Sequence, residues 1–118
     1  MRRGEVWLAS FDPSHGSEAA KTRPCVIVSA DASNRVVERL ARGVVTVVPL
    51  TTNTVRVYAF QALIPAAPGN GLAVDSKAQA EQVRALDFAR FAVRLGTLDA
   101  AQLAAINDAL LVHLALDG

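Results

Sequence analysis

With 118 residues, 52% hydrophobic and 19% charged, the chain suits one globular domain and excludes a second core of ordinary size or a disordered, charge-rich segment. A formal net charge of +1 gives no broad basic field for nucleic acid, although ten of the twelve basic residues are arginine and a local patch stays open. One cysteine, Cys25, excludes an internal disulfide framework, no apolar run approaches the ~18 residues that span a bilayer, and Met-Arg-Arg-Gly-Glu precedes no secretory apolar stretch, so a cytoplasmic protein without membrane contact is expected.

Residues 4–12 alternate Val6, Leu8 and Ser10 against Glu5, Trp7, Ala9 and Phe11, a strand closed by the turn signal Asp12-Pro13. A polar loop over 13–23 follows, carrying Gly16, Ser17, Glu18, Lys21 and Arg23. The apolar run from Cys25 to Val28 reads as a buried strand continuing to Ala30, with Pro24 at its start, where a missing ladder donor is tolerated. Asp31-Ala-Ser-Asn opens a short helix to about Arg42, with Asp31 as N-cap, Val36, Val37 and Leu40 as its apolar side and Gly43 as its stop.

Val44 to Thr52 is β-branched and apolar, a buried strand with Pro49 near its end and Thr51, Thr52 and Asn53 at its polar tip. Val57 to Ile64 reads as another strand, ended by Pro65 and the Pro68-Gly69-Asn70-Gly71 turn. After the short segment Leu72 to Asp75, Ala78 to Leu86 interleaves Gln79, Glu81, Gln82 and Arg84 with Ala80 and Val83, which suggests one wet and one dry face. Asp99 and Gln102 form a variant capping box with Leu98 and Leu103 as hydrophobic staple, and Leu103, Ile106, Leu110 and Leu114 recur on one face of a terminal helix. These elements fit an α+β fold, a small curled antiparallel sheet or barrel with attached helices.

The chemistry is restricted by what is missing. There is no Cys-x-x-Cys, no His-x-x-x-His, no tight acidic cluster and no Walker or dinucleotide glycine motif, so neither a metal nor a nucleotide cofactor is expected. Cys25 lies in an apolar run that would raise its pKa and hide it, which suits a core residue better than a nucleophile. What remains is Glu18, Lys21 and Arg23 beside Pro24, with Thr51 and Thr52 at another strand tip. Arginine beside hydroxyls can grip phosphate oxygens through bidentate hydrogen bonds. RNA brings its own nucleophile, the 2′-hydroxyl, so a base, a leaving-group acid and stabilisation of the phosphate suffice. The competing reading is a surface Arg23–Glu18 pair and a plain strand end at Thr51, and composition leaves both open. His15 is chemically suited to acid–base work. Gln79, Gln82 and Arg84 suit either an RNA groove or strand-surface hydrogen bonding. Trp7 and Phe11 read as core or dimer contacts, and the edge from Arg56 to Phe60 offers stacking.

The ordered series Arg3-Gly4-Glu5-Val6-Trp7, Asp12-Pro13, Gly16-Ser17-Glu18, Arg23-Pro24-Cys25-Val26-Ile27-Val28-Ser29, Val47-Val48-Pro49-Leu50-Thr51-Thr52, Ala80-Glu81-Gln82-Val83-Arg84 and Gly96-Thr97-Leu98 resembles the MazF/PemK toxins of bacterial toxin–antitoxin systems over nearly the whole chain. The resemblance implies an SH3-like antiparallel barrel of the CcdB/PemK kind with a short internal and a C-terminal helix, assembled as a homodimer. It implies metal-independent cleavage of single-stranded RNA at short motifs, leaving 2′,3′-cyclic phosphate and 5′-hydroxyl ends. The family's catalytic arginine and threonine match Arg23 and Thr51, and its glutamate matches Glu18; Ser17, Lys21, Thr52, Gln79, Gln82 and Arg84 are the RNA contacts expected with them. A MazE-like antitoxin would lay an acidic tail over Lys21, Arg23, Arg56 and Arg84. Two alternatives on the same fold are a CcdB-like gyrase-binding toxin, whose characteristic tail is not seen in Leu111 to Gly118, and a silent RNA-binding domain.

Overall fold

Two largely apolar runs, 25–28 and 44–50, set the architecture, because most of both their faces is buried. The computed structural model describes residues 1–11 and 22–116. In chain order it contains β1 (Glu5–Ser10), β2 (Thr22–Ile27), α1 (Asp31–Leu40), β3 (Val44–Thr51), β4 (Gln61–Ile64), β5 (Ser76–Gln79), β6 (Arg84–Asp87), β7 (Phe91–Thr97) and α2 (Ala100–Leu114). Single 3-10 turns occupy Ala80–Gln82 and Phe88–Arg90. The strands pair antiparallel in the order β4-β5-β3-β2-β1-β7. The edge of β3 opposite β2 is divided: β6 takes Val44 to Val47, and β5 takes Leu50 and Thr51. This is the expected α+β fold, with an open antiparallel sheet; among the described residues no pairing of β4 with β7 closes it into a barrel.

Alternate residues of β2 and β3 feed two cores. Val6, Val26, Val48, Leu50, Ile64 and Leu98 pack with Ile106 and Ala109 of α2 on one side. Ala9, Phe11, Cys25, Ile27, Val45, Val47 and Leu86 pack with Val37 of α1 on the other. Arg3 ties the layers together: its amide donates to Asp31 Oδ1 (2.6 Å), its Nε to the Val28 carbonyl (2.9 Å) and its Nη2 to Asn107 Oδ1 (2.6 Å). Gly96 passes so close to the 65–72 turn that an added Cβ would lie 2.5 Å from the Gly69 carbonyl oxygen, so only glycine fits there.

Several boundaries differ from the sequence expectation for local reasons. β2 begins at Thr22, because β1 extends far enough to pair Ser10 with Thr22 and Ala9 with Arg23; Arg23 and Pro24 are strand residues. Its far end stops at Ile27, where the amides of Val28 and Ser29 converge on one acceptor, the Thr46 carbonyl. Asp31 is the first residue of α1 and not its cap, since its carboxylate is taken by the Arg3 amide. Only Asn34 and Val37 of α1 are buried, leaving Val36 and Leu40 exposed. The strand expected over 57–64 shrinks to Gln61–Ile64: Lys77 Nζ binds the Arg56 carbonyl (2.6 Å) and Gln61 Oε1 binds the Tyr58 amide (3.1 Å), taking backbone groups that a ladder would use. Residues 72–75 form no strand. The stretch from Ala78 to Leu86 breaks at the 3-10 turn, which carries the chain past Val48 and Pro49 from one part of the β3 edge to the other. The capping box of Asp99 and Gln102 forms as expected. Beyond it α2 buries Ile106 and Ala109, whereas Leu114 projects into solvent with Leu111 and Val112.

Candidate active site

Residues directly opposite in a ladder share a face. Cys25 faces Pro49, and Arg23, two residues back on the same side of β2, reaches the Leu50 carbonyl beside Thr51. Thr51 in turn faces Lys77, and Gln79 faces Gln61. One face of the sheet therefore changes character along its length. Phe11, Cys25, Ile27, Val45 and Val47 make it a core at one end, and Arg23, Thr51, Lys77, Gln79 and Gln61 make it polar at the other.

Arg23 is exposed but held. Its Nη2 donates to the Leu50 carbonyl at 3.3 Å and to Gln79 Oε1 at 3.2 Å, and its Cζ lies 5.5 Å from the centre of the Phe11 ring. Arg84 Cζ lies 5.5 Å from the same centre. Two guanidiniums thus share one buried ring, and among the described residues neither pairs with a carboxylate. Among the described residues most of their hydrogen-bond donors have no acceptor and stand beside positive charge, the arrangement a phosphate group needs. Thr51 is half-buried next to the carbonyl that Arg23 grips; its Oγ1 accepts the Asn53 amide at 3.3 Å, and its hydroxyl proton remains to donate.

Behind this pair lies a polar frame. Gln61 Nε2 donates to Glu81 Oε2 at 2.7 Å, while Glu81 Oε1 is buried without a hydrogen-bond partner among the described residues. Lys77 is only 8% exposed, and its ammonium anchors the residue 52–60 loop through the Arg56 carbonyl. Cys25, one turn of the pleat behind Arg23, is fully buried; burial pushes its thiol up to about 12 against a weaker opposing pull from Arg23. It remains a protonated core residue.

Residues 2–114 match the family described as "PemK-like, MazF-like toxin of type II toxin-antitoxin system". The chain belongs to this toxin family. Over 116 residues it is 50% identical to endoribonuclease MazF9 of Mycobacterium tuberculosis, covering 98% of each protein. It is 38% identical over 90 residues to endoribonuclease PemK of Escherichia coli, covering 75% of this chain and 62% of that one. Among solved structures, MazF from Deinococcus radiodurans superposes with a TM-score of 0.74 at 28% identity, covering 98% of this chain and 96% of that one. A mycobacterial endoribonuclease in complex with its cognate antitoxin gives a TM-score of 0.74 at 25% identity, covering 98% and 96%.

Of the MazF/PemK positions singled out in the sequence, Arg23, Thr51 and Gln79 come together, with Arg84 joined to Arg23 through Phe11. Thr52 follows Thr51 as an exposed residue, and Gln82 is exposed on the 3-10 turn. Glu18, Ser17, Lys21 and His15 lie outside the described residues. Phe11, Gln61, Lys77 and the Leu50 carbonyl went unnoticed as site components. The alternation that puts Ala9 and Phe11 on one side of β1 would have placed Phe11 beside Arg23 once Ala9 was set opposite Arg23; Lys77, in the otherwise small and apolar Ser-Lys-Ala, carried its own signal as a charge at an inward position. Among the described residues, no three His, Cys, Asp or Glu side chains converge as metal ligands, and no helix is long and apolar enough to cross a membrane.

Proposed function

We propose that this toxin is an endoribonuclease that cleaves single-stranded RNA at short sequence motifs, using the RNA's own 2′-hydroxyl as nucleophile. The observation that carries the reading is Arg23, fixed by Gln79 and by the carbonyl of Leu50, the residue before Thr51. The 2′-hydroxyl gives up its proton as its oxygen attacks the adjacent phosphorus and forms the 2′,3′-cyclic phosphate, and the bond to the departing 5′-oxygen breaks as that oxygen takes a proton up, so none is gained or lost overall. Arg23 binds the scissile phosphate and stabilises the charge that builds on its oxygens, a role suited to a group that keeps its proton throughout. Thr51 donates its hydroxyl hydrogen and positions the phosphate or the 2′-hydroxyl. Glu18 is assigned the proton-accepting or Arg23-orienting role on the family resemblance. Arg84, Gln79, Gln82 and Thr52 contact the flanking chain, joined by Ser17 and Lys21. Arginine supplies the positive charge and the substrate supplies the nucleophile, so the chemistry needs no metal.

The same cationic face suits an acidic antitoxin tail of the MazE kind, which would occupy the groove and neutralise Arg23, Arg56 and Arg84. A cytoplasmic homodimer is the form in which the toxin is proposed to act. The test is incubation of purified protein with long single-stranded transcripts in excess EDTA, followed by end mapping. Cleavage with cyclic-phosphate ends is expected, and Arg23→Ala and Thr51→Ala should abolish it while each variant still unfolds in one cooperative transition. Intact RNA would sink the nuclease reading in favour of a binding toxin.

A further inference from the structure

The loop between β3 and β4 carries a construction that RNA cleavage at Arg23 does not use. The rings of Tyr58 and Phe60 stack nearly parallel, with an interplanar angle of 6° and centroids 5.2 Å apart. Arg56 lies 5.6 Å from the Tyr58 centroid, its Nη1 donating to the Tyr58 hydroxyl at 3.0 Å. Tyr58 is nevertheless 44% exposed, so the stack is offered to solvent and not tucked into either core.

The backbone beneath it is fastened at several points. Lys77 Nζ donates to the Arg56 carbonyl at 2.6 Å, the Tyr58 amide donates to Gln61 Oε1 at 3.1 Å, and the Gln61 amide returns to the Tyr58 carbonyl at 2.9 Å. Gln61 is itself fixed by Glu81 at 2.7 Å. Burying a lysine to secure a loop carbonyl is a costly arrangement for a loop with nothing to present. A platform already rigid in the free protein loses little entropy when a flat ligand stacks on it.

Position gives the ligand. Gln61 stands directly opposite Gln79, the residue that holds Arg23, and Lys77 stands opposite Thr51. The backbone under the stack is therefore fastened to two residues, Gln61 and Lys77, that are cross-strand partners of residues framing the phosphate site. Next to a bound phosphate, an aromatic pair flanked by an arginine matches a nucleobase with its own backbone phosphate.

We propose that Tyr58 and Phe60, flanked by Arg56, form a stacking subsite for one unpaired nucleobase close to the scissile phosphate, an assignment that rests on the RNA-cleaving function above. The base lies on the aromatic pair, and Arg56 meets the phosphate that follows it. This subsite contributes to the choice of cleavage motif.

The test uses the full-length protein on a pool of randomised single-stranded RNA with sequencing of the cut ends, and on one good substrate remade with an abasic nucleotide at each flanking position in turn. At one position the abasic change should slow the wild type roughly 5- to 150-fold, the range expected for losing one stacked base. Tyr58→Leu should be slowed by a similar factor on normal RNA, lose base preference at that position alone and show no further penalty for the abasic nucleotide. Tyr58→Trp should restore discrimination, and each variant should stay folded, unfolding in one cooperative transition. The subsite is refuted if wild type cleaves RNA and Tyr58→Leu keeps its rate, its preferences and its abasic penalty. It is equally refuted if the substitution weakens only antitoxin capture, which would assign the stack to a protein partner. A wild type that cuts no RNA removes the functional reading and the subsite together.

Discussion

Replacing Phe11 by leucine isolates the ring that Arg23 and Arg84 share. Both guanidinium carbons lie 5.5 Å from its centre, so the two exposed charges are at most twice that distance apart, and salt damps their repulsion. Each cation–ring contact at a partly exposed site is worth about 0.5–1 kcal/mol, so losing both costs about 1–2 kcal/mol. Phe11 is 8% exposed, and the smaller leucine adds about 1 kcal/mol of lost apolar burial. Phe11→Leu should therefore destabilise the protein by roughly 2–3 kcal/mol in urea unfolding. The decisive measurement is a double-mutant cycle with Arg84→Met, which keeps the aliphatic stem and removes the charge. A coupling of about 0.5–1 kcal/mol is expected from the cation–ring contact. Additivity within error would refute it, leaving Phe11 as core filling alone.

Four further outcomes follow from the same geometry. Gln79→Ala removes one of the two acceptors holding Arg23 and should lower kcat/KM about 3- to 10-fold, on the scale of one exposed hydrogen bond, while thermal unfolding stays unchanged. Cys25, with its thiol raised to about 12, should resist alkylation by iodoacetamide at neutral pH in the folded protein and react once denatured, as mass spectrometry would show. Ile106→Ala should cost about 2–5 kcal/mol in denaturant unfolding, whereas Leu114→Ala should change stability by about 0.5 kcal/mol or less. Burial pushes the Glu5 carboxyl up, but the Trp7 indole, the Arg2 backbone, the N-terminal ammonium and Arg94 outweigh it and hold the group below its ordinary 4.5. Its folded form thus favours the charge, and the stabilisation is complete above the ordinary value and disappears as pH falls through the lowered one. The stability gap between wild type and Glu5→Gln should narrow on acidification; a gap independent of pH would contradict it.

Much of this was legible in the residues, and the exceptions share a cause. The largely apolar runs around Val26 and Val47 announced buried strands because burial on both faces leaves its mark at most positions. Asp99 and Gln102 announced their helix start because a cap is a local interaction. Boundaries went astray wherever a distant side chain claimed a local group: Arg3 took the carboxylate of Asp31, and Lys77 and Gln61 took the backbone of the 56–58 stretch. Arg23 and Thr51 stood out by residue type and family likeness, but Phe11, Gln61 and Lys77 become site residues only through pairings between strands far apart in sequence.

The ladder between β2 and β3 also fixes what kinds of sequence change the fold can absorb. Cys25 sits opposite Pro49, and Pro24 lies just beyond, so the last rungs toward Arg23 lack two amide donors. A single residue inserted or deleted between Thr22 and Ile27 would exchange the two faces, driving the Arg23 guanidinium toward the α2 core and moving Val26 out of it to the α1 side. Length variation among functional relatives should therefore be confined to loops, and any indel within β2 should come in pairs of residues that restore the alternation.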